Sequence, residues 1–219
     1  MYNKILNITN GEFFNEYFKN KFCGIAIPFC EAMMDGKIIG KIYSNEFISC
    51  RAKSLNVSEK EYRDKMFVYD YLTNKEYQSI CLWFGKDTFC QMNLLTLLAY
   101  LEQIEFKGKL KLNYIADETF EILESNIDVK LGVYNRAYED ILLLRKIPND
   151  IGVLNAKAIE LFFDYYSKNG AIVKLIKANS HMNKNDLVRF LLEQSKDYGL
   201  SDLQAERLIN SYCLENYKK

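Results

Sequence analysis

The sequence predicts an α/β protein, a mainly parallel layered sheet followed by an all-helical C-terminal domain. Three observations carry this. Short apolar runs alternate with stretches of helical periodicity, as in a layered α/β fold. "SICLWF" (79–84) is apolar without alternation, as expected of a parallel strand covered on both faces. Beyond "IPNDIG" (147–152) only helical patterns remain.

The elements follow in order. "NKILNIT" (3–9) is a short apolar run ending near Asn10-Gly11, a strong turn signal, and "EFFNEYFKNKF" then places Phe14, Tyr17 and Phe18 at helical spacing. "GIAIPF" (24–29) is a second strand. From Ser44 to Leu72 the pattern is helical, and Ser58 with Glu61 forms a capping box that splits it near Val57-Ser58. After the third strand a long apolar helix runs to about Glu105, and "KLKLNYIA" (109–116) is a fourth strand. Between Asp117 and Lys146 the reading is strand-like near "VKLGVY" and helical across "AYEDILLLRK". "IPNDIG" sets the boundary between an α/β domain, 1–147, and a helical domain, 148–219. Within the latter Gly170 stops a helix, "NKND" starts another, and Ser201 with Gln204 forms a second capping box.

Composition excludes several classes. The 29 basic and 29 acidic residues cancel, so neither nucleic acid nor an anionic membrane is the expected partner. The six cysteines (23, 30, 50, 81, 90 and 213) form no C-x-x-C and meet one histidine, His181, so no metal site is expected. They read as reduced thiols of a cytoplasmic protein. The N-terminus lacks signal-peptide character, and no apolar run approaches the ~18 residues of a membrane span. The sequence names no cofactor: Asn10-Gly11 belongs to neither a G-x-G-x-x-G nor a G-K-[ST] sequence.

Trp83, Asp87, Gln91, Asn93 and Leu94 fit a Trp-x-x-x-Asp-x-x-x-Gln-x-Asn-Leu pattern. With the turn at Gly11-Glu12-Phe13, the segment "PFCEAMMDG" and Gly199-Leu200-Ser201, they make the chain resemble a bacterial family of unknown function. Phe13 stands where that family often carries serine. The resemblance implies an α/β domain with a helical tail and brings no activity.

Ligands of parallel α/β sheets bind beyond the carboxyl ends of strands. The first strand delivers Asn10, Gly11 and Glu12 there, the second Glu31 and Asp35, the third Trp83 and Asp87, and the fourth Asp117 and Glu118. The residues of the first three strands, with Gln91 on the helix that follows, are the eight candidate ligand-binding residues. Each also has a plainer reading. Glu12 complements the dipole of the helix it opens, Thr88 and Gln91 can form a capping box beside Asp87, and Asn93 suits a buried structural amide.

Three functions follow. The first is small-molecule binding in a cleft at the strand ends, with Trp83 as an apolar wall. The second is a hydrolase or transferase using Asp87 with Glu31 or Asp35 as paired carboxylates. The third is a transcriptional regulator with a helix-turn-helix-like tail, "DLVRFLLEQS" to "LSDLQAERLINSY". Residues 151–219 hold ten basic and eight acidic side chains, and Asp202 and Glu206 lie on the presumed recognition helix, which disfavours phosphate contact.

Overall fold

The computed structural model describes residues 5–22, 24–74 and 77–213, which form five strands and ten α-helices. Asn3 and Lys4 of the expected first strand, Cys23 and the Cys213 side chain lie outside the described residues. The fold is α/β, its sheet mostly parallel and its C-terminal part helical.

The sheet order is β2 (Ile25–Phe29), β1 (Ile5–Asn10), β3 (Ser79–Phe84), β4 (Lys109–Ile115), β5 (Ile122–Val129). The first four strands are parallel and β5 is antiparallel to β4. The chain steps outward from β1 to β2 through α1 (Glu12–Lys21), and in the opposite direction from β3 to β4 through α5 (Thr88–Gln103). Right-handed crossovers therefore set α1 and α5 on opposite faces. Between β2 and β3 lie α2 (Asn45–Leu55), α3 (Glu59–Lys65) and α4 (Phe67–Asn74).

The strand period of two separates the faces. Leu6, Ile8, Ile80, Leu82, Phe84, Leu110 and Leu112 point one way and are buried. The opposite face carries Asn7, Thr9, Trp83 and Asn113, partly roofed by α1, whose Phe18 ring lies 5.1 Å from Trp83. Polar groups are tolerated there because each is bonded. Trp83 Nε1 donates to Asn7 Oδ1 at 3.0 Å, Thr9 Oγ1 to Asn15 Oδ1 at 3.1 Å, and Asn113 Nδ2 to the Leu82 carbonyl at 3.3 Å.

Three details differ from the sequence reading. "SICLWF" alternates in burial, because α1 covers only part of its second face. The helical stretch after Ser44 holds three helices; the Ser58–Glu61 capping box opens the middle one. The fifth strand is "ILESNIDV", not "VKLGVY". As an exposed edge strand it carries no apolar alternation to read. The expected helix after it is α6 (Tyr134–Tyr138), continued by a π-helical turn, Glu139–Leu143.

Two compact units result. One runs to Lys86 and resumes from Cys90 to Asn155; the other comprises Asp87–Phe89 and the chain from Ala156. The second holds α7 (Ala156–Tyr166), α8 (Ala171–Ala178), α9 (Lys184–Gln194) and α10 (Asp202–Cys213). Ile172, Val173, Ile176, Leu187, Leu191, Ala205 and Ile209 form its core. The starts of α8, α9 and α10 are capped. Asp164 accepts from Ala171 N (2.7 Å) and Ile172 N (3.3 Å), Asn183 Oδ1 from Asp186 N (3.0 Å), and both arms of the Ser201–Gln204 box are made. Among the described residues no helix is long and apolar enough to cross a membrane.

Candidate functional site

The strand order reverses between β1 and β3, so a crevice opens beyond their carboxyl ends. Gly11, at φ 82°, turns the chain from β1 into α1, and its N–H donates to the Phe29 carbonyl at 2.9 Å. The crevice contains a cleft of about 110 Å³, lined by Asn10, Phe13, Phe14, Gly85, Cys90 and Asp117, with Ile115 and Phe120 completing the wall.

Of the eight sequence-predicted residues, Asn10 alone lines this cleft. Its Nδ2 donates to Cys90 Sγ at 2.9 Å and its Oδ1 accepts from Asn93 Nδ2 at 3.0 Å. Asn93 is fully buried and cross-links three segments, since Nδ2 also donates to the Glu31 carbonyl and Oδ1 accepts from Met33 N. Here the plain reading of Asn93 and the wall of the crevice coincide.

The Glu31 carboxylate turns inward. It meets the Arg51 guanidinium at 2.7 Å, accepts from Ala32 N at 2.9 Å and from the Tyr62 hydroxyl, and both charged side chains are 0% exposed. Burial opposes the Arg51 charge, but the Glu31 carboxylate outweighs it and the guanidinium pKa ends above its ordinary value. Burial, and then the Glu31 charge, pushes the Tyr62 hydroxyl far above the ordinary tyrosine range. Asp35, half-buried, supplies a backbone carbonyl to Arg51. Glu12 is exposed and pairs with Lys65 at 2.6 Å.

The third-strand residues also separate. Trp83 projects to the α1 face, its ring against Phe18 and Phe22. Gln91 is fully buried; Nε2 donates to the Gly85 carbonyl at 2.6 Å and Oε1 accepts from Asn155 N at 2.8 Å. Thr88 Oγ1 donates to the Asp197 carbonyl, so the two side chains serve other partners than each other. Asp87 belongs to the helical unit, where a Cβ built on Gly199 would lie 2.1 Å from its Oδ1.

Sequence reasoning missed Phe13, Phe120 and Cys90. Phe120 sits in the β4–β5 turn with φ 58°, which few aromatic residues adopt, and its ring packs on Phe13, Phe14 and Tyr17 at 5.4, 5.0 and 4.9 Å. Nothing in "DETF" signals that placement. Burial raises the thiol of Cys30, next along from β2, to a pKa of about 11, so it is no ready nucleophile. Cys30, Cys50, Cys81 and Cys90 are free thiols. Among the described residues no group of His, Cys, Asp and Glu could hold a metal ion.

No family model and no solved structure matches the chain. A curated protein does. The chain is 24% identical over 187 residues to "Regulatory protein RecX" of Clostridium perfringens (strain 13 / Type A), covering 84% of this chain and 81% of that one. The chain is similar to a regulatory protein.

This similarity corrects the sequence-based expectation of small-molecule binding. The structure supplies the physical reason: a cleft of about 110 Å³ is well below the ~300–1,000 Å³ of ordinary ligand pockets. Polar side chains read as ligand contacts, Glu31 and Gln91 above all, spend their bonding capacity on the fold.

Proposed function

We propose that this protein is a regulatory protein that works by contact with another macromolecule. The similarity to a regulatory protein across most of both chains carries the reading. The geometry supports it, because the strand-end crevice offers a side-chain-sized recess and not a substrate cavity. Cells lacking the protein should show altered abundance or activity of other macromolecules, restored by the full chain. Unchanged macromolecules, together with saturable metabolite turnover by the purified protein, would reverse the conclusion.

A nucleic-acid target is the second reading, and one observation favours it. Residues 168–184 hold four lysines and no acidic side chain, and Lys168, Lys174 and Lys177 are exposed along the α8 side of the helical unit. Against it stands α10, which exposes Asp202 beside Arg207 and Asn210. A salt-sensitive gel shift with duplex DNA, lost on Lys174→Glu with Lys177→Glu, supports this reading. No shift at physiological salt removes it.

A further inference from the structure

We propose that the aromatic surface formed by α1 and the β4–β5 turn docks a protein segment that presents lysine or arginine around one apolar side chain. The inference rests on the regulatory reading and gives the partner's chemistry. Its first observation is Phe13, which is 81% exposed in the first turn of α1. A ring so exposed is normally left free to move, yet this one lies 5.4 Å from Phe120, which Phe14 and Tyr17 hold in turn. The turn that presents Phe120 is closed at both ends, by Phe120 N to the Ala116 carbonyl at 3.0 Å and Ala116 N to the Glu121 carbonyl at 2.9 Å. Ile122 follows on β5, 46% exposed and paired across from Ile115, which packs with Phe14 and Phe18. Aromatic and aliphatic side chains thus continue from helix to turn to edge strand, the composition of a binding surface.

The charge around this surface selects the partner. Residues 112–129 contain five acidic side chains and no lysine or arginine. Asp117, Glu118 and Glu121 are exposed on the turn that carries Phe120 and leads into Ile122. Of the nearby cations, Lys65 pairs with Glu12, Lys86 with Glu124 and Lys111 with Asp128. The resulting negative field repels a nucleic-acid backbone and attracts a basic segment. Beneath Phe13 and Phe120 the recess of about 110 Å³ has the scale of one inserted side chain, with Asn10 and Asp117 at its wall. The patch therefore combines an apolar anchor site with an acidic surround, which fits a basic segment carrying one buried aliphatic or aromatic residue.

The test uses the full chain and a fluorescein-labelled twelve-residue peptide of alternating lysine and leucine, read by fluorescence polarisation. Saturable binding that weakens with salt is expected, at least tenfold weaker for Phe13→Ala and for Asp117→Lys with Glu121→Lys. Glu193→Lys, an exposed charge reversal on the helical unit, should leave it unchanged. A glutamate-leucine peptide should not bind, and an all-lysine peptide should bind more weakly. Absence of binding, or equal weakening by Glu193→Lys, overturns the proposal. So does a concentration-dependent dimer abolished by Phe13→Ala, which would make a second copy the occupant, or competition by duplex DNA at this surface. If peptide binding fails while cells lacking the protein still show altered macromolecules, only this surface is lost. If those cells are unchanged, the regulatory reading itself falls.

Discussion

Arg51→Met should destabilise the α/β unit severely. Arg51 and Glu31 are both 0% exposed, joined at 2.7 Å, and the guanidinium also donates to the Ala32 carbonyl at 2.9 Å and to the Asp35 and Lys37 carbonyls. Methionine fills much of the same volume but leaves the Glu31 carboxylate buried without its cation. Breaking a buried pair in this way costs about 3–5 kcal/mol, against about 5–15 kcal/mol of total stability for an ordinary domain. At roughly 2–4 °C per kcal/mol in a protein of this size, the midpoint should fall by about 6–20 °C. Trp83, the chain's single tryptophan, reports on this unit alone, so urea unfolding followed by its emission isolates the effect. Glu31→Leu with Arg51→Met removes both charges and should recover at least half of the loss. A cost below about 1 kcal/mol for Arg51→Met would show that the pair is solvated and that this account of Glu31 is mistaken.

Other consequences are equally direct. Asn93→Leu strips partners from Met33 N, Asn10 and the Glu31 carbonyl and should cost at least about 1–3 kcal/mol in the same urea assay. Ser58→Ala removes one arm of a complete capping box and should cost about 1 kcal/mol by thermal unfolding. Gly199→Ala introduces a Cβ at φ 64° against the Asp87 carboxylate and should lower the helical unit's midpoint by circular dichroism more than an exposed alanine such as Ala178→Gly. Asp164 loses charge stability to burial but gains more from Tyr198 and from the Ala171 and Ile172 N–H groups, so its pKa is lowered. A lowered carboxylate contributes fully above its ordinary value and loses the contribution as pH falls through the depressed one. Asp164→Asn should therefore weaken the helical unit at neutral pH and converge with wild type in strong acid. A constant gap across that range would contradict the assignment.

Much of the architecture was legible because it follows from periodicity. The four parallel strands and the long helix after β3 are written in apolar runs and their spacing, and three helix starts in the residues Ser58, Asn183 and Ser201. β5 was displaced because an edge strand exposed on both faces has no apolar alternation to find. The site was less legible for a different reason. The strand-end rule located the crevice, and Asn10 and Asp117 line it, but no sequence pattern says whether a buried carboxylate or amide faces a ligand or its own fold. Glu31 and Gln91 serve the fold through Arg51, Tyr62, Gly85 and Asn155, residues 6 to 64 positions distant. Phe13 was read as a departure from a serine-bearing family and Phe120 carried no signal, whereas together they frame the cleft.

The regulatory reading is tested most directly by titrating the protein's level in cells, from absence through the natural amount to excess, while measuring the abundance and activity of other macromolecules. A graded response that follows the dose and disappears with the protein is the predicted result. No response at any level, with purified protein that instead turns over a metabolite, would contradict it.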